Sequence, residues 1–241
     1  MVTSAKACPE LLHKELEKAA GRKLKMRIND NRSTMLSVRW EREHTRVSIH
    51  RMFLKAPQNV MDELACYLST PHQTLSPAVK AFIEDSRREL DYSHCLRPSD
   101  LAHQGQTYNL HQLFNEVNDR YFNQELQLQI TWFSQPARRN RQRLVFGLFH
   151  DTLRLIKINR LLDTPKVPRY FVSYVIYHEM LHFVCPPEVD PSGCHRIHNP
   201  SFKQQESLYA EYQEAQEWLK QNKQWLFEHV STKEKHRNGW T

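Results

Sequence analysis

Hydrophobic and polar positions change period several times along this chain, and each change marks an element. Residues 8–20 read as a short helix that ends at Gly21, a natural C-cap. Strict alternation follows: Leu24, Met26 and Ile28 share one face, and Leu36, Val38 and Trp40 share another, with Asp30-Asn31-Arg32-Ser33 as the turn. Val47 and Ile49 belong to a third alternating piece, so three short antiparallel strands are expected. Pro57 begins a helical pattern that carries Val60, Met61, Leu64 and Leu68. Ser76-Pro77 starts another helix, with a cap residue followed by proline at the first helical position. The stretch from Asp91 to Gln106 loses periodicity, contains Pro98 and Gly105, and reads as a linker.

Helical spacing returns over Tyr108–Phe122, where Leu110, Leu113, Phe114, Val117 and Tyr121 line one face. Leu126, Leu128, Ile130 and Trp132 alternate as a strand, and Leu144–Phe149 and Leu153–Ile158 form two more around a turn at His150-Asp151. An apolar helix over Phe171–Val184 comes next, and Asn199-Pro200-Ser201 opens a last long helix through Trp218. The order predicts an α+β fold with residues 1–100 as an α+β N-terminal region and residues 101–241 as a second domain.

Composition narrows the class. A chain of 241 residues with 39% hydrophobic and 25% charged positions suits a folded protein of one large or two small domains. No apolar run is long enough to span a bilayer, and Met1 to Lys14 lacks a signal-peptide core, so a cytoplasmic protein without membrane contact is expected. The five cysteines, Cys8, Cys66, Cys95, Cys185 and Cys194, are odd in number and contain no C-x-x-C pair, which argues against a zinc ribbon or a disulfide framework. Reduced thiols are the simplest account, although Cys185 and Cys194 flank the candidate site described next. The formal charge of +7 favours acidic partners. The sharpest basic cluster is Arg138, Arg139, Arg141 and Arg143 after Pro136, and a second run is Arg22, Lys23, Lys25 and Arg27; both are candidate DNA or RNA contacts.

The chemistry is concentrated in His178-Glu179-Met180-Leu181-His182, inside the apolar helix. Residues four apart lie on one helix face, so both imidazoles can reach a single ion, and Glu179 stands beside them as a carboxylate able to take a proton from zinc-bound water. The plain alternative is a set of core histidines satisfied by hydrogen bonds. A catalytic zinc usually keeps three protein ligands. The metzincin spacing fails, because Cys185 stands where its glycine should be and Glu188 where its third histidine should be. Glu206, Glu211, His195 and His198 remain as third-ligand candidates, and His198 is preferred because it directly precedes the Asn199-Pro200 helix start, where a capped turn holds it. Asp190 and Glu206 are candidate acceptors for ligand N–H groups.

Residues 107–205 resemble the SprT-like zinc metallopeptidase domain, the family that includes the DNA-dependent protease Spartan. The resemblance rests on Val117-Asn118-Asp119-Arg120-Tyr121-Phe122 at a helix end, a strand ending in Trp132, Gly147 in a strand, Leu155-Ile156-Lys157-Ile158-Asn159, His178-Glu179-Met180-Leu181-His182, and His198-Asn199-Pro200-Ser201-Phe202. It implies a zincin-like core, a small antiparallel sheet packed on helices with the metal site on the His178–His182 helix. It also implies Zn2+ on His178, His182 and His198, with Glu179 as the general base. The activity implied is hydrolysis of peptide bonds in protein or peptide substrates, including proteins bound to DNA.

An edge strand, Leu144–Phe149 or Leu153–Ile158, could hold an extended substrate. Tyr174, Tyr177 and His195 are oxyanion candidates by sequence proximity alone. Asn199 replaces the family's usual glycine, which asparagine's tolerance of left-handed backbone angles accommodates. No cysteine follows Cys194, so the family's frequent zinc ribbon is absent and DNA contact would fall to the basic loops. The competing reading is a non-catalytic, zinc-containing nucleic-acid-binding or adaptor module.

Overall fold

A computed structural model describes residues 8–71, 73–134, 144–190 and 194–237. The cluster Arg138, Arg139, Arg141 and Arg143 lies outside the described residues. The architecture is α+β, and the chain falls into two compact units. The first runs to Leu90 and also takes in Pro187–Arg196; the second comprises Asp91–Pro186 and resumes at Ile197.

In the first unit, helix α1 (Pro9–Ala20) buries Leu12, Leu16 and Ala20 and stops at Gly21, whose φ of 59° is the left-handed C-cap its sequence called for. Strands β1 (Leu24–Asn29), β2 (Leu36–Trp40) and β3 (Thr45–His50) make a sheet in the order β1-β3-β2. The expected antiparallel meander is corrected here: β1 runs parallel to β3, and only β2–β3 is antiparallel. Burial and turn length explain the change. Thr45, Val47, Ile49 and His50 are all buried, so β3 takes the doubly flanked central place. Glu41–His44 closes tightly through Glu41 N–H to His44 C=O at 3.0 Å, whereas the Asp30–Met35 connection carries the chain past β3. Helices α2 (Gln58–Ser69) and α3 (Pro77–Arg88) complete the core with Val60, Met61, Leu64, Leu68 and Val79 buried. Ser76 caps α3 by accepting from Val79 N–H at 3.4 Å.

The second unit begins with the stretch read as a linker, and it is bound into the fold instead. Tyr92 N–H donates to Thr152 C=O (2.7 Å), and Trp132 donates to Ala102 C=O through its backbone (2.9 Å) and to His103 C=O through its indole (3.1 Å). The buried Asp163 carboxylate gathers the backbone N–H groups of Gln106, Thr107 and Tyr108 at 2.7, 2.8 and 3.2 Å. Gly105 allows that approach, since a Cβ there would lie 2.6 Å from Asp163 Cγ. Periodicity was silent here because backbone-to-side-chain bonds, not an apolar stripe, hold this segment.

Helix α4 (Leu110–Phe122) is capped by Asn109, which accepts from Gln112 N–H, and ends at Asn123 with φ 49°. Strands β4 (Gln129–Phe133), β5 (Gly147–His150) and β6 (Leu155–Asn159) form a second sheet in the order β4-β6-β5. This sheet is also mixed, parallel between β4 and β6 and antiparallel between β5 and β6, which corrects the antiparallel expectation. The central strand β6 buries Leu155, Ile156, Ile158 and Asn159, as a strand covered on both faces does. Helix α5 (Arg169–Val184) packs on this sheet and on α4, with Phe171, Val172, Val175, Ile176, Met180 and Leu181 buried around most of its circumference.

The hairpin β7 (Glu188–Val189) and β8 (His195–Arg196) belongs to the first unit and packs against α3. The chain then re-enters the second unit as α6 (Pro200–Glu206) and α7 (Tyr212–Arg237). One long helix was expected from Asn199; it is broken between Ser207 and Glu211. Tyr209 turns inward there and donates to Tyr170 C=O at 3.0 Å, while Tyr121 Oη accepts from Ala210 N–H at 3.1 Å. No helix among the described residues is long and apolar enough to cross a membrane.

Candidate metal centre

The α5 sequence sets His178 and His182 one turn apart, and α6 supplies the third imidazole from just outside its N-terminus. Asn199 is the cap: its Oδ1 accepts from Phe202 N–H at 2.8 Å, its Nδ2 donates to Pro186 C=O at 3.4 Å, and Pro200 starts the helix. Its φ of −69° and ψ of 173° are extended, so the position needs no glycine-like freedom. What asparagine contributes is the capping oxygen, not tolerance of a left-handed angle.

Nitrogen atoms of His178, His182 and His198 come within 4.8 Å of one another, a group that could hold a metal ion. Their ring centroids are 5.0, 5.0 and 5.1 Å apart, and the fully buried Phe202 ring lies 4.7 to 5.1 Å from all three. Phe202 thus forms an apolar floor that limits how far each imidazole can turn. Burial, reinforced by the neighbouring His178 and His198, pushes the His182 pKa down to about 3, so its ring is a neutral lone-pair donor at physiological pH.

His178 Nδ1 meets Glu206 Oε1 at 2.7 Å, and the Tyr174 hydroxyl donates to the same oxygen at 2.7 Å. Gln216 Nε2 donates in turn to Tyr174 Oη at 2.8 Å. Burial alone would raise the Glu206 pKa, but the bonds from His178 and Tyr174 outweigh it and hold the carboxyl below its usual range. An ionised acceptor on Nδ1 fixes the tautomer and leaves the lone pair of His178 on Nε2.

Glu179 is not one of the gathered donors. It is 5% exposed and its carboxyl lies against β5: a Cβ at Gly147 would stand 2.6 Å from its Cγ and 2.8 Å from its Cδ. Burial pushes its pKa up to about 7, against the opposing pull of His178 and of a backbone hydrogen bond with Phe149. A carboxyl poised near neutrality beside a metal-competent cluster can give and take protons at ordinary pH.

The other candidates fall elsewhere. His195 lies on β8 of the first unit, 3.8 Å from Glu84, and Asp190 accepts from Cys194 N–H (3.0 Å) and Arg196 Nε (3.2 Å). Glu211 pairs with Arg120 at 3.6 Å. Tyr174 and Tyr177 commit their hydroxyls to Glu206 and to Gln205 C=O (2.7 Å); burial raises both pKa values, Tyr177's to about 12. Cys185 is buried beside Ser201, and its burial raises the thiol pKa. Among the described residues the one metal-competent group contains no cysteine. Sequence reasoning named Tyr174 as an oxyanion candidate and not as a donor to Glu206, and it missed Gln216 and the bed that Gly147 and Phe149 form for Glu179. Tyr174 stands four residues before His178 on one helix face, a signal that was available; Gln216 had none.

Fold and site together define an α+β protein with a three-histidine, metal-competent centre beside a buried carboxyl of raised pKa. No protein-family model, curated protein or solved structure matches the chain.

Proposed function

We propose that the chain is a zinc-dependent metallopeptidase that hydrolyses peptide bonds in protein substrates, with His178, His182 and His198 as zinc ligands and Glu179 as general base. The observation that carries this reading is the three-imidazole donor set next to a buried carboxyl with a pKa of about 7. The donor set fits zinc: tetrahedral bonds of about 2.1 Å ask for ligand atoms about 3.4 Å apart, within small ring rotations of the separations here. Zinc, when bound, supplies Lewis acidity that acidifies water and polarises a carbonyl.

The chain's own groups do the rest. Glu179 takes a proton on its carboxylate from the attacking water and returns it to the leaving amine. The Phe149 backbone steadies that carboxyl, and Gly147 leaves it room. Glu206 orients the His178 ring, and the Asn199 cap steadies the backbone that carries His198. Among the described residues β5 is an edge strand on which an extended substrate could add a strand, beside the Phe149 backbone that meets Glu179; β6 is central, which narrows the two strands considered to one. A purely structural zinc is normally enclosed by four protein ligands, whereas three gather among the described residues. The SprT-like resemblance of residues 107–205 supports the same reading, and it implies proteins bound to DNA as a substrate class.

Metal content and casein cleavage test it. Wild type is expected to retain zinc through gel filtration and His198→Ala to lose it. Glu179→Gln should keep the zinc yet cut casein at least about 100-fold more slowly, the usual scale for a missing general base. Zinc retained in His198→Ala removes that ligand, and undiminished cleavage by Glu179→Gln removes the base.

A further inference from the structure

The three strands of the first unit alternate so that one face packs on the core and the other is open. Leu24, Met26, Ile28, Leu36, Val38, Val47 and Ile49 belong to the core side. The opposite positions are Lys25, Arg27 and Asn29 on β1, Ser37 and Arg39 on β2, and Arg46, Ser48 and His50 on β3, of which His50, at the end of the strand opposite Asn29, is buried. Every one is a cation or a neutral hydrogen-bonding residue, and none of the three strands contains an acid. Lys25, Arg27, Ser37, Arg39 and Arg46 are exposed.

Register sharpens the pattern. Lys25 stands opposite Arg46, and Arg46 opposite Arg39, so three cations form one row across the sheet. Arg27 begins the next row, opposite Ser48, which is itself opposite Ser37. Like charges placed directly opposite destabilise a sheet, where opposite charges would add about 0.2–1 kcal/mol per pair. Folding alone therefore gives no reason for this arrangement. The acids at the rim are already engaged: Glu41 pairs with Arg46 and His44 (both 2.9 Å), and Asp30 pairs with Arg51 (2.9 Å) and His50 (3.0 Å). Among the described residues, Lys25, Arg27 and Arg39 have no ion-pair partner. Asn29 Nδ2 donates to Ser48 Oγ at 2.7 Å, which leaves the Ser48 hydroxyl proton to donate outward.

We propose that this open face of the β1-β3-β2 sheet binds the phosphate backbone of a nucleic-acid duplex without reading its sequence. Charge complementarity names the occupant. Strands lie about 4.8 Å apart and residues two apart on a strand about 7 Å, so the rows cover roughly 10 by 7 Å. Duplex DNA offers one negative charge per about 1.7 Å of axis, enough for several simultaneous contacts there. A single strand would want aromatic platforms, and the face has none: Trp40 lies on the other parity, edge-on to Tyr67 at 5.4 Å. Membrane insertion would want large apolar side chains, and none of the exposed ones lies on these strands. The peptidase reading is not needed, because binding is measured without cleavage.

The test is anisotropy of a fluorescent duplex DNA titrated with the full chain over a salt series, for wild type and for Lys25→Ser/Arg27→Ser/Arg39→Ser. The triple variant is expected to bind about tenfold or more weakly at low salt, with a slope of log K against log salt shallower by about 2 to 3, or about 0.9 for each lost contact. Each single substitution should remove about one such contact, which keeps the proposal testable if the triple variant folds poorly. Thermal melting should show the exposed triple variant no less stable than wild type, since repulsion is relieved. Unchanged affinity and slope overturn the proposal. Tighter binding of a single strand of equal length, or binding of anionic phosphatidylserine vesicles without binding of the duplex, overturns it as well.

Discussion

His178 has two ring nitrogens, and a single contact decides which one is free. With Nδ1 bonded to the Glu206 carboxylate at 2.7 Å, the lone pair on Nε2 is the one available to a metal. Glu206→Gln keeps the size and the acceptor oxygen but removes the charge. Metal affinity is expected to fall about 10–100-fold, read by competition with a chelator. Unaltered affinity would mean that Glu206 only packs. Asp190 and Glu206 were equivalent acceptors by sequence spacing, yet Asp190 serves the β7–β8 hairpin through Cys194 and Arg196. Glu206 closes α6 against α5, and the break that follows is marked by Tyr209 turning inward to Tyr170, a contact between residues 39 positions apart.

At the scale of elements, helix ends were the most legible feature. Gly21, Ser76 and Asn199 were all recognised as boundaries, because a cap acts within one turn and its residues are adjacent in the chain. Strand partners were not. The β1–β3 pairing joins residues about twenty positions apart and runs parallel, which alternation cannot encode, since it states a face and not a neighbour. The Asn199 cap also gives an element-scale prediction. Asn199→Ala should cost about 1 kcal/mol in a denaturant melt and Asn199→Gly only a few tenths, because glycine is tolerated at an N-cap and alanine is not. Equal losses would show that the Oδ1 bond to Phe202 N–H contributes little.

Across the whole molecule, two compact units carry different kinds of chemistry. The second holds the histidine cluster and the first the cationic sheet face. The first also contains a buried titratable group. His50 is wholly inside, with Nδ1 accepting from Met52 N–H at 3.1 Å and Nε2 paired with Asp30 at 3.0 Å. Burial lowers its pKa despite the hydrogen bond to Asp30, which favours the charged form. Between the depressed folded value and the unfolded value near 6.5, the unfolded chain holds more protons, so stability rises with pH there. His50 thus contributes stability that is present above about pH 6.5 and lost as the pH falls toward the folded value. Wild type should lose stability between pH 7 and pH 5 more steeply than His50→Gln, by urea melts at each pH. Equal slopes would remove His50 as a cause.

The sequence by itself determined most of the helices and the caps at Gly21, Ser76 and Asn199, the α+β class, the strand faces of the first sheet, and the three histidines that could share an ion. These follow from periodicity and from contacts within a turn, which short-range chemistry fixes. Only the tertiary structure decided that both sheets are mixed, that residues 91–106 are bound into the second unit, and that Glu206 serves His178. It also laid Glu179 against Gly147 and aligned Lys25, Arg46 and Arg39 in one row. Those outcomes depend on which distant segments bury each other, and no local pattern of polar and apolar residues carries that information.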